Sequence, residues 1–138
     1  MSVEDCRLID VPSFSDPRGN LSFVEGGGHI PFDIARVYYI WNIPEQAVRG
    51  AHGHRELQQF IIPASGSFNV VLDDGRQTRT VHLDRPDQGL YICPMIWRDV
   101  TQFSDGAVCL ALASLPYDEA DYFRDYREFL DEASRRER

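Results

Sequence analysis

Two histidines, His52 and His54, stand in the segment Arg49-Gly50-Ala51-His52-Gly53-His54-Arg55-Glu56-Leu57-Gln58-Gln59. On an extended strand, residues two apart point to the same side. Both imidazoles then face one space, and Gln58 follows on that side if the alternation persists. With an ordinary pKa of about 6.5, imidazole gives and takes protons near neutrality. It also ligates metals, but a catalytic zinc normally takes three protein ligands and a water. This segment supplies two histidines, with Glu56 or the neutral Gln58 as a third. Acid–base chemistry without a metal is what the pair favours. His29, in a glycine-rich turn, and His82, in a polar hairpin strand, are expected outside the site.

Other chemistries are excluded by residues the chain lacks. All fourteen basic residues are arginine. With no lysine there is no lysine imine and no pyridoxal phosphate linkage. Cys6, Cys93 and Cys109 are odd in number and form no CxxC spacing, which argues against a disulfide framework and a structural zinc. Cys93 and Cys109 lie in apolar runs and read as small buried hydrophobes. A net charge of −8 disfavours nucleic acid, whose phosphates need a basic surface. It still allows one small anion held by a few arginines.

The elements that must carry the histidines are short. DPRGN (16–20), EGGGH (25–29), NIPEQ (42–46), PASGS (63–67), DDGR (73–76), RPDQG (85–89) and SDG (104–106) are turn-like. Between them lie β-branched and aromatic runs, among them ARVYYIWN, LQQFII, FNVVLDD, TRTVHLD, GLYICP and AVCLALAS. This pattern predicts an all-β antiparallel sandwich or barrel. SFNVVLDDGRQTRTVHL is expected to form a hairpin turning at Asp74-Gly75. From Pro116 the strand character is lost. Tyr122, Tyr126, Phe129 and Leu130 recur at helical spacing, predicting a C-terminal helical segment over about 116–134. Acidic residues lead that segment and arginines end it, as the helix dipole prefers. At 138 residues, 43% apolar and 12% aromatic, the chain is one globular domain's worth. No apolar run approaches the roughly 20 residues of a membrane helix. The acidic start, MSVEDCRLID, has no signal-peptide character, and a cytoplasmic location is expected.

HxH, a later polar residue and Gly66 together resemble the first motif of the cupins, small jelly-roll barrels with active sites inside. The second cupin motif resembles Gly89-Leu90-Tyr91-Ile92-Cys93-Pro94-Met95-Ile96-Trp97-Arg98-Asp99. The glycine and proline are kept, but Trp97 and Arg98 stand where metal-binding cupins bring a third histidine. More closely, the chain resembles the WxcM-like sugar 3,4-ketoisomerases. The resemblance runs through DPRGNL (16–21), HIPFDIARVYYI (29–40), RGAHGHRELQQ (49–59), GSFNVVLDDG (66–75), GLYICPMIW (89–97) and ALASLPYDEADYFRDY (111–126), in the family's order. Gly53 replaces a common alanine, and Arg98 stands where some members have histidine.

The resemblance implies one cupin jelly-roll domain over 1–138 with a C-terminal α-helix, assembled as a homodimer, with no cofactor and no metal. It implies tautomerisation of a dTDP-linked 4-keto-6-deoxy sugar. A base takes the proton from carbon 3, an enediol forms, and reprotonation at carbon 4 leaves the ketone at carbon 3. The configuration at carbon 4, gluco or galacto, stays open. His52 is implied as the base and His54 as the proton shuttle, or the reverse. Tyr38 or Tyr39, whichever faces the barrel, and Gln58 are the candidate donors to the enediolate oxygen. Arg18, Arg49 and then Arg36 are the candidates for the diphosphate. Trp41 or Trp97 could stack on thymine, and Arg98 is a further substrate-binding candidate. The product would serve a 3-amino sugar of a lipopolysaccharide, S-layer or antibiotic glycan. Three rivals use the same residues differently: a nucleotide-sugar 3,5-epimerase, a metal-dependent cupin oxygenase, and a sugar-binding cupin without catalysis.

Overall fold

A computed structural model of the chain describes residues 1–137. The strands are β1 (Arg7–Asp10), β2 (Ser13–Asp16), β3 (Gly19–Ser22), β4 (Arg36–Ile40), β5 (Arg49–His54) and β6 (Gln59–Ser65). They continue with β7 (Phe68–Asp73), β8 (Thr78–Leu83), β9 (Gln88–Ile92), β10 (Trp97–Thr101), β11 (Val108–Ala113) and β12 (Tyr122–Phe123). One helix follows, α1 (Tyr126–Arg136).

Two antiparallel sheets, in the orders β1-β9-β6-β11-β4 and β12-β5-β10-β7-β8, form the expected jelly-roll. Their inner faces share one core. Ile61, Leu90, Ile92 and Ala111 come from the first sheet, and Phe68, Val70, Leu72, Leu83 and Val100 from the second. Strict alternation makes this possible: along β7 every second residue is buried. Burying side chains of this size contributes about 1.5–3 kcal/mol each. The predicted hairpin is β7–β8, paired from Phe68↔Leu83 to Asp73↔Thr78. Its turn is held by Asp74, whose Oδ1 accepts from the N–H groups of Arg76 and Gln77 at 2.9 Å each. Among the described residues strands β2 and β3 pair only with each other, and all eight of their residues are exposed.

The C-terminal segment differs from the helix expected over 116–134. The α-helix starts only at Tyr126, because Asp125 caps it by accepting from the N–H groups of Arg127 (2.8 Å) and Glu128 (3.3 Å). Ahead of it, Glu119–Asp121 makes one 3-10 turn capped by Asp118, and Tyr122 and Phe123 pair with His54 and Gly53 of β5. Tyr122 therefore belongs to a sheet edge and not to the helix face. Tyr126, Phe129 and Leu130 do lie on the helix, which packs on Trp97, Met95 and Phe123.

Candidate active site

Strand β5 is shaped to present its histidines. It bulges against β10, where the register shifts between Arg98 and Asp99, and Gly50 sits at φ 96°. A side chain at Gly50 would place a Cβ 2.7 Å from the Arg98 carbonyl oxygen, so only glycine fits there. Beyond the bulge the alternation is regular. His52 and His54 stand side by side with ring centroids 4.9 Å apart, edge to face. Tyr122 covers both, 5.2 Å from the His52 ring and 4.3 Å from the His54 ring.

The two rings differ in surroundings. His52 lines a cavity of about 400 Å³ together with Arg36, Tyr38, Arg49, Tyr122 and Arg124. His54 is fully buried beneath it. Its Nδ1 lies 3.0 Å from Asp121 Oδ2, while the other oxygen, Oδ1, accepts from the Glu56 N–H at 2.7 Å. A carboxylate only accepts, so Nδ1 carries the proton and Nε2 the lone pair. Nε2 is buried and has no hydrogen-bond partner among the described residues. Burial, then the Arg98 guanidinium, lowers the pKa of both histidines, that of His52 to about 4. Both rings are neutral at pH 7.

Arginines surround the pair. Arg98 is 2% exposed, donates to the Ile96 carbonyl from Nε (3.1 Å) and from a terminal nitrogen (3.0 Å), and also donates to Gln59 Oε1. Arg36 lies over the Tyr38 and Tyr117 rings, and its Nε and one terminal nitrogen are buried without partners among the described residues. Arg124 is held over Tyr122 by Glu119, at 2.6 and 2.9 Å. Arg36, Arg49 and Arg124 thus present three guanidinium groups to one cavity in an acidic protein. The arrangement can hold a polyanion at its mouth while a neutral imidazole pair works at its floor.

Of the residues singled out from the sequence, His52, His54, Tyr38, Arg36, Arg49 and Arg98 come together here. Five do not. Tyr39 is 61% exposed on the outer face of β4, since alternation turns Arg36, Tyr38 and Ile40 inward. Gln58 accepts from the Tyr91 hydroxyl at 2.6 Å, away from the cavity. The chain bends after Arg55 to cross between sheets, which shifts the phase by one and sends Gln59 inward instead. Trp97 faces outward from β10 onto Tyr126 and Phe129, at 5.2 and 5.9 Å. Arg18 stands on the exposed β2–β3 hairpin, bonded to Asp16 at 2.6 Å. Trp41 is 66% exposed. Glu56 is exposed with its carboxylate 3.9 Å from Arg136, so neither Glu56 nor Gln58 joins the histidines.

Asp121, Tyr122, Arg124 and Gln59 are site residues that sequence reasoning missed. For the first three the available signal was Asp125 followed three residues later by Glu128, which marks a helix start after the DYF run. A two-residue strand such as β12 has no periodicity to detect.

Residues 4–134 match the family described as FdtA: WxcM-like, C-terminal. A TDP-4-oxo-6-deoxy-alpha-D-glucose-3,4-oxoisomerase from Aneurinibacillus thermoaerophilus is 41% identical over 123 residues, 89% of this chain and 88% of that protein. A mutant of the 3,4-ketoisomerase QdtA from Thermoanaerobacterium thermosaccharolyticum, in complex with TDP-4-keto-6-deoxyglucose, superposes with a TM-score of 0.92. It is 40% identical, with 95% of each chain covered. The WlaRB TDP-quinovose 3,4-ketoisomerase from Campylobacter jejuni gives a TM-score of 0.88 at 43% identity, over 93% of this chain and 98% of that one. By sequence, by fold and by extent of match, the chain belongs to the FdtA family of WxcM-like proteins.

Proposed function

We propose that this protein is a sugar 3,4-ketoisomerase acting on dTDP-4-keto-6-deoxyglucose by acid–base tautomerisation. The observation that carries this reading is the neutral His52–His54 pair at the floor of a cavity ringed by Arg36, Arg49 and Arg124. The arginines suit the diphosphate. His52, on the cavity wall, takes the carbon 3 proton. As the electron pair moves toward the carbon 4 ketone, negative charge grows on its oxygen, and the Tyr38 hydroxyl donates there. The deeper His54 accepts a proton at Nε2 from the carbon 3 hydroxyl and returns it to the carbon 4 oxygen. Delivery of a proton to carbon 4 then leaves a ketone at carbon 3. Asp121 holds His54 in the tautomer this requires. Positioned groups of this kind contribute about 10²–10⁴-fold each.

The proposed assembly is a homodimer. A lone two-stranded hairpin is marginal in water, yet β2–β3 carries exposed Phe14 and Leu21. Nearby Phe23, Val24, Val37, Ile62, Leu110 and Leu112 line an apolar groove of about 570 Å³. Three buried free thiols support a cytoplasmic location. Among the described residues no helix is long and apolar enough to cross a membrane.

The direct test is proton NMR of dTDP-4-keto-6-deoxyglucose with EDTA-treated protein in heavy water. Loss of the carbon 3 proton with a 3-keto product deuterated at carbon 4 is expected. Exchange at carbon 5 would assign an epimerase instead, and activity only after a divalent ion is restored would assign a metal enzyme.

A further inference from the structure

A chain of hydrogen bonds crosses the barrel interior from Arg98 on β10 to Gln59 on β6 and Tyr38 on β4, and its direction is set by chemistry. Arg98 has donors only, so the Gln59 atom facing it must be the carbonyl Oε1. The amide NH₂ is then turned the other way, and Gln59 Nε2 donates to the Tyr38 hydroxyl oxygen at 2.7 Å. A phenol that accepts from one side has its own proton free for the other, and Tyr38 lines the cavity beside His52. Arg98 and Gln59 are each 2% exposed, and Tyr38 is half-buried. Space for the chain comes from β11, where Ala111 pairs with Tyr38 and Ala113 with both Arg36 and Gln59. Among the described residues the Arg98 guanidinium meets carbonyl oxygens and no carboxylate.

We propose that Gln59 is a positioning residue that locks the Tyr38 O–H toward the substrate oxygen and links it to the buried charge of Arg98. This rests on the ketoisomerase reading above. Gln59 is not among the residues that line the cavity and bonds to Tyr38, through which it acts. The relay has a polarity, and reversing it should stop the donor without emptying the site. Gln59→Glu does so. A carboxylate of the same shape pairs with Arg98 but offers Tyr38 only an acceptor, drawing the hydroxyl proton away from the cavity.

The test compares wild type, Gln59→Glu, Tyr38→Phe and the double variant, measuring kcat, KM and calorimetric affinity for TDP. A fall of about 10²-fold in kcat for Gln59→Glu is expected, with KM and TDP affinity within about threefold. The double variant should match Tyr38→Phe, since the two changes remove one donor. Gln59→Glu activity within about twofold of wild type, or losses that multiply in the double variant, would overturn the relay. So would lost TDP affinity in Gln59→Glu alongside near-wild-type affinity in Tyr38→Phe. Inactive wild-type protein that still binds TDP would strike the ketoisomerase reading itself, a different result from any of these.

Discussion

Asp121 uses its two oxygens on two different donors, the His54 ring and the Glu56 backbone. Asparagine has one oxygen. In Asp121→Asn the fixed backbone N–H claims that oxygen, and the amide NH₂ faces Nδ1. The imidazole proton is then driven to Nε2, where the lone pair is needed. We expect kcat to fall about 10²–10⁴-fold with the fold intact; ¹⁵N shifts of the His54 ring check the tautomer directly. The pH profile is a separate reading of the same site. His52 stays unprotonated down to about pH 4, so kcat/KM should be level from pH 7 to 5, with its acid limb near 4. A limb near 6.5 would mean that the base is solvated. Stability follows the same pKa values. The unfolded histidines take up protons below about pH 6.5, while His52 does not until about 4. Stability is therefore greatest above 6.5 and is lost progressively as pH falls from there to the folded value near 4.

Strands were legible wherever alternation ran uninterrupted, and obscure wherever the chain changed sheets. Tyr38 or Tyr39 was a choice of face that β4 decides by burial. Gln58 failed at the bend after Arg55, because period-two logic does not survive a crossover. Arg98 was located by motif, but its neighbour Trp97 serves the opposite face, onto the helix. The largest difference is the stretch 116–125, where an acidic lead and recurring tyrosines mimic a helix. The true start is set by one side chain. Asp125→Ala should cost about 1 kcal/mol by removing the cap, seen as a lower urea midpoint with an unchanged slope. Since α1 packs Phe129 against Phe123 of β12, loosening it should also weaken the seating of Asp121.

The barrel keeps opposite characters inside and out. Both sheets give polar groups to the cavity, Arg36 and Tyr38 from β4 and Arg49 and His52 from β5, while the groove at Val37, Ile62, Leu110 and Leu112 leaves the outer face of the first sheet apolar. Paired copies would cover that face and give the β2–β3 hairpin something to pack on. Phe14→Ser with Leu21→Ser should shift the protein toward monomer in sedimentation velocity, at micromolar concentration. An unshifted profile would place the interface elsewhere. The fold class was readable from composition and turn spacing, because any such chain must close two sheets on a core. Which copies meet, and by which face, depends on surfaces with no period to read.

His54 and Asp121 lie 67 positions apart along the chain, and Tyr122 follows directly. A ribosome delivers them in that order. Both histidines and most of the barrel emerge before the carboxylate that orients His54, the ring that covers the pair, or the helix that holds them. The growing chain can close its sheets and still lack a working centre. Competence arrives late, when β12 zips onto β5, so catalytic activity reports that synthesis has passed this segment and that its end has docked.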